Sequence, residues 1–291
     1  GNTAWVKDAG GNQTYISYDA RGFKTALNDP DMGAWTYMYN GLGELKGQTD
    51  AKGQITELGY DLLGRLTSRL EKLNASTAET TTAWTWDDTA MGGVKAIGKL
   101  TKVTVATGGS AGTTGYEENR VYTSDYGYPQ DTKRRIDGAW HWISHSYDAI
   151  GRLRLTRYPN SVSSSSQSSA GSNSSRFTVR HEYNAGGYLA AVRDETAGTV
   201  YWTGVAASAA GAITREDLGN GLTTLQTIDR ATGALEALTT GPGVLATVQN
   251  LEFDWDRAGN LTVRRDLQAD KREEFDYDGL YRLSQSRRYS T

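Results

Sequence analysis

The sequence predicts an all-β chain in which repeated antiparallel β-hairpins form a curved, spiralling sheet. The first observation is a period: Tyr18, Tyr39 and Tyr60 each open the same short motif, with 21 residues from one to the next (39 − 18 and 60 − 39). The second is strand-like alternation of β-forming residues, as in 251–255, without sustained helical periodicity. A fixed period near twenty is typical of architectures that repeat one supersecondary unit.

The motif itself predicts a turn. Each instance places Asp or Asn directly after the aromatic residue and, in all but the last, glycine three positions later. Asp and Asn favour the first position of a type I turn, and glycine accepts the left-handed conformation at the fourth. We therefore expect positive φ at Gly22, Gly43, Gly64, Gly151, Gly187 and Gly259, whereas the last motif carries Tyr281 at this position. The aromatic residue and the leucine after the turn then lie on paired strands, as one hairpin of about 21 residues.

The composition is that of a globular protein whose sheet faces are partly exposed to solvent. The chain has 291 residues and 34 glycines, and its 17 Tyr and 8 Trp outnumber 4 Phe. Rings with a polar tip suit a sheet that is solvated on both sides. Residues 1–291 are expected to form a single continuous repeat region, with polar insertions near 74–83 and at 161–176.

Charge and cysteine content exclude several classes of function. The net charge of −3 argues against phosphate-neutralising contacts with nucleic acid. The chain has no cysteine, so it has neither disulfides nor thiolate metal sites. No segment of this sequence is long and apolar enough for a transmembrane helix, and we expect no signal peptide. Because the first residue is glycine and the ends fall inside the repeat, we expect a piece of a longer protein.

Candidate catalytic carboxylates are explained by the repeat. Asp276 and Asp278 share a strand face about 6.8 Å apart, near the separation of glycosidase carboxylates. The same pair recurs one unit earlier as Asp254 and Asp256, which indicates turn chemistry. No G-x-S-x-G motif occurs either. The sequence therefore predicts no catalytic residue, no cofactor-binding residue and no cofactor.

Other candidate ligand sites are also weak. His141 and His145 would lie about 13 Å apart on a strand, too far to share one metal ion, although His181 could join one of them. Residues 29–33 contain two Asp but lack the other ligands of a calcium loop. We expect no metal site. Asn220-Gly221 predicts a two-residue type I′ hairpin. Sugar-stacking platforms remain an alternative for Trp84, Trp86, Trp140, Trp142 and Trp202.

A family resemblance adds to this pattern. The motif Tyr-Asp-x-x-Gly-Arg-Leu, complete at 60–66 and 147–153, resembles the YD repeat of Rhs proteins. Residues 211–224 (GAITREDLGNGLTT) and 229–235 (DRATGAL) resemble two further segments of that family. The resemblance covers most of the chain and is weakest at about 70–135 and in the serine-rich segment.

The resemblance implies a structural role. Rhs/YD-repeat proteins, including Tc toxin B and C components and teneurins, wind a β-ribbon into a hollow shell that in bacterial members encloses a C-terminal toxin domain. This chain is expected to be one segment of such a shell, secreted or at the bacterial cell surface, with the rest of the shell and the toxin cargo as partners. Open strand edges predict self-association. The alternative is a cell-surface adhesin, in which exposed aromatic residues bind glycans.

Overall fold

The computed structural model describes residues 1–108, 114–159 and 176–290. It packs as two compact units, the first comprising Gly1–Gly151 with Arg157–Phe177, the second Arg152–Thr156 with Thr178–Thr291. Within the described ranges there are 23 strands and one short helix. The predicted insertion at 161–176 lies outside the described residues except for Arg176.

The strands of the first unit are β1 (Trp5–Lys7), β2 (Gln13–Tyr18), β3 (Lys24–Asp29), β4 (Gly33–Tyr39), β5 (Leu45–Thr49), β6 (Ile55–Tyr60), β7 (Leu66–Asn74), β8 (Thr77–Trp86), β9 (Leu100–Thr107), β10 (Thr114–Tyr122), β11 (Pro129–Ile136) and β12 (Ala139–Tyr147). The second unit contains β13 (Leu153–Arg157, all but its last residue), β14 (Thr178–Tyr183), β15 (Leu189–Asp194), β16 (Val200–Ala207), β17 (Ile213–Leu218), β18 (Leu222–Ile228), β19 (Leu235–Pro242), β20 (Gln249–Trp255), β21 (Leu261–Asp266), β22 (Lys271–Tyr277) and β23 (Leu283–Ser290).

Strands pair in chain order. From β1 to β12 each strand is antiparallel to the next. The same holds from β14 to β23 in the second unit. One 21-residue period contains two strands and two turns. The motif turn joins one pair of strands, and a second turn joins the next pair. The prediction of an all-β chain built from antiparallel hairpins is confirmed.

The sheet buries few side chains completely. Among the described residues, the buried apolar side chains are Ala96, Tyr122, Leu155, Val179 and Ala191, whereas most strand positions are half-buried. Such intermediate burial fits the surplus of Tyr and Trp over Phe, since a tyrosine or tryptophan buries its ring and keeps a polar atom for a hydrogen bond.

The region of weakest family resemblance also departs most from the hairpin pattern. Helix α1 (Thr89–Gly92) begins after Asp88, whose Oδ1 accepts hydrogen bonds from the amides of Ala90 and Met91. In the described part of the chain it is the only helix, and four residues are too few to cross a bilayer. Nearby, the residues at 74–83 form a tight turn and the start of β8.

Candidate functional site: the joints between repeat units

Each motif turn is held by the backbone and side chain of one residue. In the motif of residues 60–66 the Gly64 amide donates to the Asp61 carbonyl at 3.1 Å. The Asp61 Oδ1 accepts from the amides of Leu63 and Arg65, both at 2.9 Å. These bonds close the turn only if the fourth residue is left-handed, and Gly64 has φ 75°. The φ prediction is confirmed at all six glycines, with values from 75° to 88°.

The last motif keeps this turn without glycine. Tyr281 has φ 59°, in the left-handed region that bulky side chains rarely adopt. Its amide donates to the Asp278 carbonyl at 3.0 Å, and the Asp278 Oδ1 accepts from the amides of Leu280 and Arg282. The aspartate therefore imposes the turn geometry even where the residue type opposes it.

The predicted pairing of aromatic residue and leucine is present in most motifs. Tyr39 faces Leu45, and the corresponding pairs are Tyr60–Leu66, Tyr183–Leu189, Trp255–Leu261 and Tyr277–Leu283. In the first motif the expectation is wrong, because Tyr18 faces Lys24. There Phe23 follows the turn glycine, and the next position holds a lysine instead of a leucine.

The polar tips of eight aromatic residues bind the preceding repeat unit. The Tyr60 hydroxyl donates to the carbonyl of Leu45, which begins the returning strand one unit earlier, at 2.9 Å. Seven more aromatic residues make the equivalent bond at 2.6–3.1 Å: Tyr18 to Thr3, Trp86 to Leu66, Tyr122 to Leu100, Tyr147 to Pro129, Tyr183 to Leu153, Trp255 to Leu235 and Tyr277 to Leu261. Sequence reasoning missed this contact.

The residue after the turn glycine packs on the same aromatic ring. Its cationic or aromatic side chain lies over the ring of the next unit, with 4.5–5.1 Å between the ring centre and the partner. The pairs are Phe23–Tyr39, Arg65–Trp86, Lys99–Tyr122, Tyr128–Tyr147 and Arg152–Tyr183. We call the contact of such an aromatic residue with the preceding unit, through the carbonyl hydrogen bond, the ring packing or both, the joint. Both contacts are present at Trp86, Tyr122, Tyr147 and Tyr183.

Arg65 makes the most connected joint. Its guanidinium binds Asp61 of its own turn at 2.7 Å and Asp87 of the next turn at 2.5 Å, and lies over the Trp86 ring. The hydrogen bonds from Arg65 hold the pKa of Asp87 below its usual value. The Arg65 amide, more than its guanidinium, lowers the pKa of Asp61. Both carboxylates are therefore ionised partners of one arginine at neutral pH.

The structure assigns the first carboxylate pair to the turn and to ion pairs. Asp276 binds Arg287 at 2.5 Å, and Asp278 binds Arg282 at 2.8 Å. The pKa of Asp278 is lowered, first by the Arg282 amide and then by its guanidinium. A general acid at neutral pH needs a raised pKa, and Asp278 has the opposite shift.

The equivalent pair one unit earlier behaves in the same way. Asp254 binds Arg265 at 2.5 Å, and this contact lowers the pKa of Asp254. Asp256 accepts from the Asn260 side chain at 2.8 Å and from the Asn260 amide at 2.9 Å, and the pKa of Asp256 is lowered by these bonds. The interpretation of both pairs as repeated turn chemistry agrees with these contacts.

The other candidate sites are occupied by local structure. Asp29 uses Oδ1 to accept from the amides of Asp31 and Met32 and Oδ2 to accept from Thr14, so both of its carboxylate oxygens take part in local hydrogen bonds. Within the described residues no group of three His, Cys, Asp or Glu side chains has metal-binding geometry. His141 lies on β12 in the first unit, and His181 on β14 in the second.

The type I′ prediction at Asn220 is wrong. A type I′ turn needs positive φ at both central residues, whereas Gly221 has φ 83° and Asn220 is outside the left-handed region. The Gly221 amide donates to the Leu218 carbonyl at 3.0 Å, which makes a type I turn with left-handed glycine at the fourth position. Gly219 adds the third loop residue, and a Cβ there would lie 2.2 Å from the Val200 carbonyl oxygen.

The five candidate sugar-stacking tryptophans are all half-buried. Trp86 serves a joint, and the Trp202 indole donates to Glu216 at 2.6 Å. Trp202 also lines a hollow of about 450 Å³ in the second unit, together with Tyr188, Leu189, Gly204 and Ile213. No charged side chain lines this hollow within the described part of the chain.

Comparison with known proteins identifies the repeat. The RHS repeat family model matches residues 39–71, which run from the end of β4 into β7 and include the joint of Tyr60 with Leu45. The chain carries an RHS repeat. No curated protein sequence matches the chain significantly.

Solved structures share the fold over nearly the whole chain. A Tc holotoxin pore of Photorhabdus luminescens aligns with 97% of this chain at 16% identity and a TM-score of 0.58. The TcdB2–TccC3 complex without its hypervariable C-terminal region aligns with 96% at 18% identity and 0.60. The TcdB2–TccC3–Cdc42 complex gives the same values. This chain spans 16% of the length of those chains. The prediction of Rhs/YD repeats is confirmed at residues 39–71, and the Tc-toxin structures share the fold over nearly the whole chain.

Proposed function

We propose that this chain is a non-enzymatic structural segment of an Rhs/YD-repeat shell that encloses a C-terminal toxin domain. The observation that carries the proposal is the joint: at eight aromatic residues the polar atom of the ring donates to a backbone carbonyl of the preceding unit. A contact that is repeated along a chain builds a wall, whereas catalysis needs different groups gathered at one place. The Tc-toxin fold supports the same role.

The partners in this proposal are the remainder of the shell and the enclosed toxin, and the location is outside the bacterial cytoplasm or at the cell surface. The whole of 1–291 acts as one continuous repeat region.

Limited proteolysis of the full polypeptide that contains this chain tests the enclosure. We expect the downstream toxin segment to resist protease until the shell is opened. Replacing Tyr60 and Tyr277 with alanine breaks two joints and should accelerate cleavage of that segment. Tyr15→Ala is the matched control, because Tyr15 is exposed and its hydroxyl reaches only Gln13 on the same strand. Equal cleavage rates in all three proteins, or the absence of a downstream segment, would overturn the proposal.

The non-enzymatic part has its own test. A panel of glycan, peptide and nucleotide substrates should give no turnover with the purified chain. Turnover that disappears in Asp278→Asn but persists in Asp256→Asn would show that the carboxylates of equivalent turns are not equivalent. It would therefore place a catalytic group at the last motif.

Glycan binding is a second candidate, favoured by the uncharged hollow beside Trp202. Tyr188 is 69% exposed at its rim, and Gly204 leaves room for the Trp202 ring. Aromatic rings next to neutral polar groups suit sugar stacking. A glycan array should then give signals that Tyr188→Ala abolishes and Tyr15→Ala preserves. Signals that survive in both variants, or no signal at all, would remove this candidate.

A further inference from the structure

A charged hollow lies on one face of the second unit, at the end of the strands opposite to the motif turns. It has a volume of about 660 Å³ and lies mainly over β20, β21 and β22. Arg264 on β21 faces Glu273 on β22, which in turn faces Arg288 on β23. Two positions along, Asp266 faces Lys271. Cross-strand partners and residues two apart share a face, so these five charged side chains line one hollow.

The hollow is a feature of the sheet face and not of a sheet edge. Leu251, Asp266 and Lys271 line it from three successive strands. A strand added beside β23 would lie within the sheet, about 4.8 Å from its neighbour. It would leave the face over β20 to β22 as it is. The hollow therefore belongs to the described repeat units themselves.

Glu273 aligns two guanidinium groups along this face. Its Oε2 accepts from Arg264 Nε at 2.7 Å, and its Oε1 accepts from Arg288 Nε at 3.0 Å and Nη2 at 2.8 Å. These bonds, first from Arg288 and then from Arg264, hold the pKa of Glu273 below its usual value. One negative charge therefore faces two positive charges at neutral pH. Among the described residues Nη1 of each arginine has no hydrogen-bond partner, so it can donate to an anion.

Lys271 adds a third cation beside this pair. It is exposed and lies about 6.8 Å along β22 from Glu273. Within the described ranges its ammonium group makes no ion pair, although Asp266 faces it. The Asp266 Oδ1 instead accepts from the amides of Gln268 and Ala269, at 3.1 and 2.9 Å. Three cations and two carboxylates give the lining a charge of +1, in a chain whose net charge is −3.

We propose that this hollow binds a phosphorylated sugar. A phosphate monoester carries a charge of about −1.5 to −2 at neutral pH, and its oxygens accept hydrogen bonds from guanidinium and ammonium groups. The rest of the lining includes Thr240, Gln249 and Gln268, whose hydroxyl and amide groups suit the hydroxyl groups of a sugar. No aromatic side chain lines the hollow in the described part of the chain, so a nucleobase would find no ring to stack on. The volume lies within the range of about 300–1,000 Å³ that is usual for small-molecule sites.

Isothermal titration calorimetry of the whole chain with glucose 6-phosphate, at low ionic strength, tests the site. We expect saturable binding, no binding of glucose, and affinity about tenfold lower for inorganic phosphate, which lacks the sugar contacts. Affinity for glucose 6-phosphate should fall between pH 7 and pH 5, because the second pKa of a phosphate monoester is about 6 while arginine and lysine stay charged. Glucose 6-sulfate, a monoanion throughout, should bind more weakly and without this pH dependence.

Variants of the chain locate the contacts. Lys271→Gln should weaken glucose 6-phosphate about fivefold. Lys46→Gln is the matched control, because Lys46 is an exposed strand lysine of the first unit, and it should change nothing. Gln268→Ala keeps the backbone amide that Asp266 binds; it should weaken glucose 6-phosphate about threefold and leave inorganic phosphate unchanged.

Three results would overturn the proposal. The first is no binding of glucose 6-phosphate. The second is equal affinity for glucose 6-phosphate and either glucose or inorganic phosphate, which would remove the phosphate or the sugar from the recognised ligand. The third is the same affinity in Lys271→Gln and Lys46→Gln, which would place the bound anion elsewhere. None of these outcomes depends on an enclosed toxin.

Discussion

Gly43 offers the clearest test of how the turn and the joint depend on each other. It has φ 88°, and a Cβ built there would lie 2.5 Å from Cζ of Phe23, whose ring stacks on Tyr39 at 5.1 Å. Gly53, at the other end of β5, has a similar φ of 79° and no heavy atom within 4 Å of a built Cβ. An alanine at either glycine would therefore meet a similar backbone strain. Only at Gly43 would its methyl group also displace a side chain of a joint.

The expected free energies separate these two effects. Left-handed alanine costs about 1–2 kcal/mol, and loss of glycine freedom in the unfolded chain returns about 0.4–1 kcal/mol. Gly53→Ala should therefore destabilise by about 1 kcal/mol. Gly43→Ala also displaces Phe23 from Tyr39, and such ring pairs contribute about 0.5–1.5 kcal/mol. Its total should be about 2 kcal/mol.

Urea unfolding followed by tryptophan fluorescence measures both variants, with an unchanged m value as the requirement for comparison. The decisive step is a double-mutant cycle with Phe23→Ala. In that background the two glycine variants should become equal within about 0.5 kcal/mol. If Gly43→Ala is no worse than Gly53→Ala in the natural background, or stays worse without Phe23, the proposed coupling between turn and joint is wrong.

Three further predictions concern single groups. Tyr60→Phe should destabilise by about 1 kcal/mol in urea unfolding, because it leaves the Leu45 carbonyl without its hydroxyl donor; no change would show that water replaces the bond. Tyr281→Gly should raise the midpoint and stabilise by up to about 1 kcal/mol, since it relieves left-handed strain; destabilisation would reveal a stabilising contact of the ring. The lowered pKa of Asp61 means that its contribution is complete above its unfolded pKa near 3.8 and is lost as the pH falls through the lower folded pKa. Asp61→Asn, which keeps the acceptor as Asn40 does, should lower stability at pH 7, where the contribution of the ionised carboxylate is complete, and should approach the stability of the natural chain below about pH 4, so that the acid limb flattens; an unchanged acid limb would contradict this assignment.

The turns could be predicted because their cause is local. A motif with Asp or Asn three residues before Gly supplies both the side-chain acceptor and a residue that accepts the left-handed conformation. The positive φ of the six glycines therefore follows from the spacing alone. The prediction for the turn at Asn220 is wrong for an equally local reason. The Asn-Gly pair alone predicts a two-residue loop, whereas Gly219, packed against the Val200 carbonyl, lengthens the loop to three residues.

The joints were missed because they join different hairpins. Whether Tyr60 reaches Leu45 depends on the stagger between strands of successive units, which no short motif encodes. The sequence nevertheless contained a signal. The aromatic residue before each motif turn is always Tyr or Trp, although the chain has 4 Phe. A position that needs only ring packing would accept Phe, so its exclusion indicates a required donor.

The joint also explains how one chain can tolerate unequal units. Each joint is a contact between two neighbouring units, so a change in one unit alters the contacts with its neighbours only. The turn around Tyr281 loses its glycine and keeps its aspartate bonds, and the region around α1 departs from the hairpin pattern while Trp86 and Tyr122 still donate to Leu66 and Leu100. Among the motifs of this chain the residue types vary at the turn tips, whereas the aromatic position always carries a ring with a hydrogen-bond donor. That division is expected of a repeat architecture, in which each joint holds only the two units that it connects.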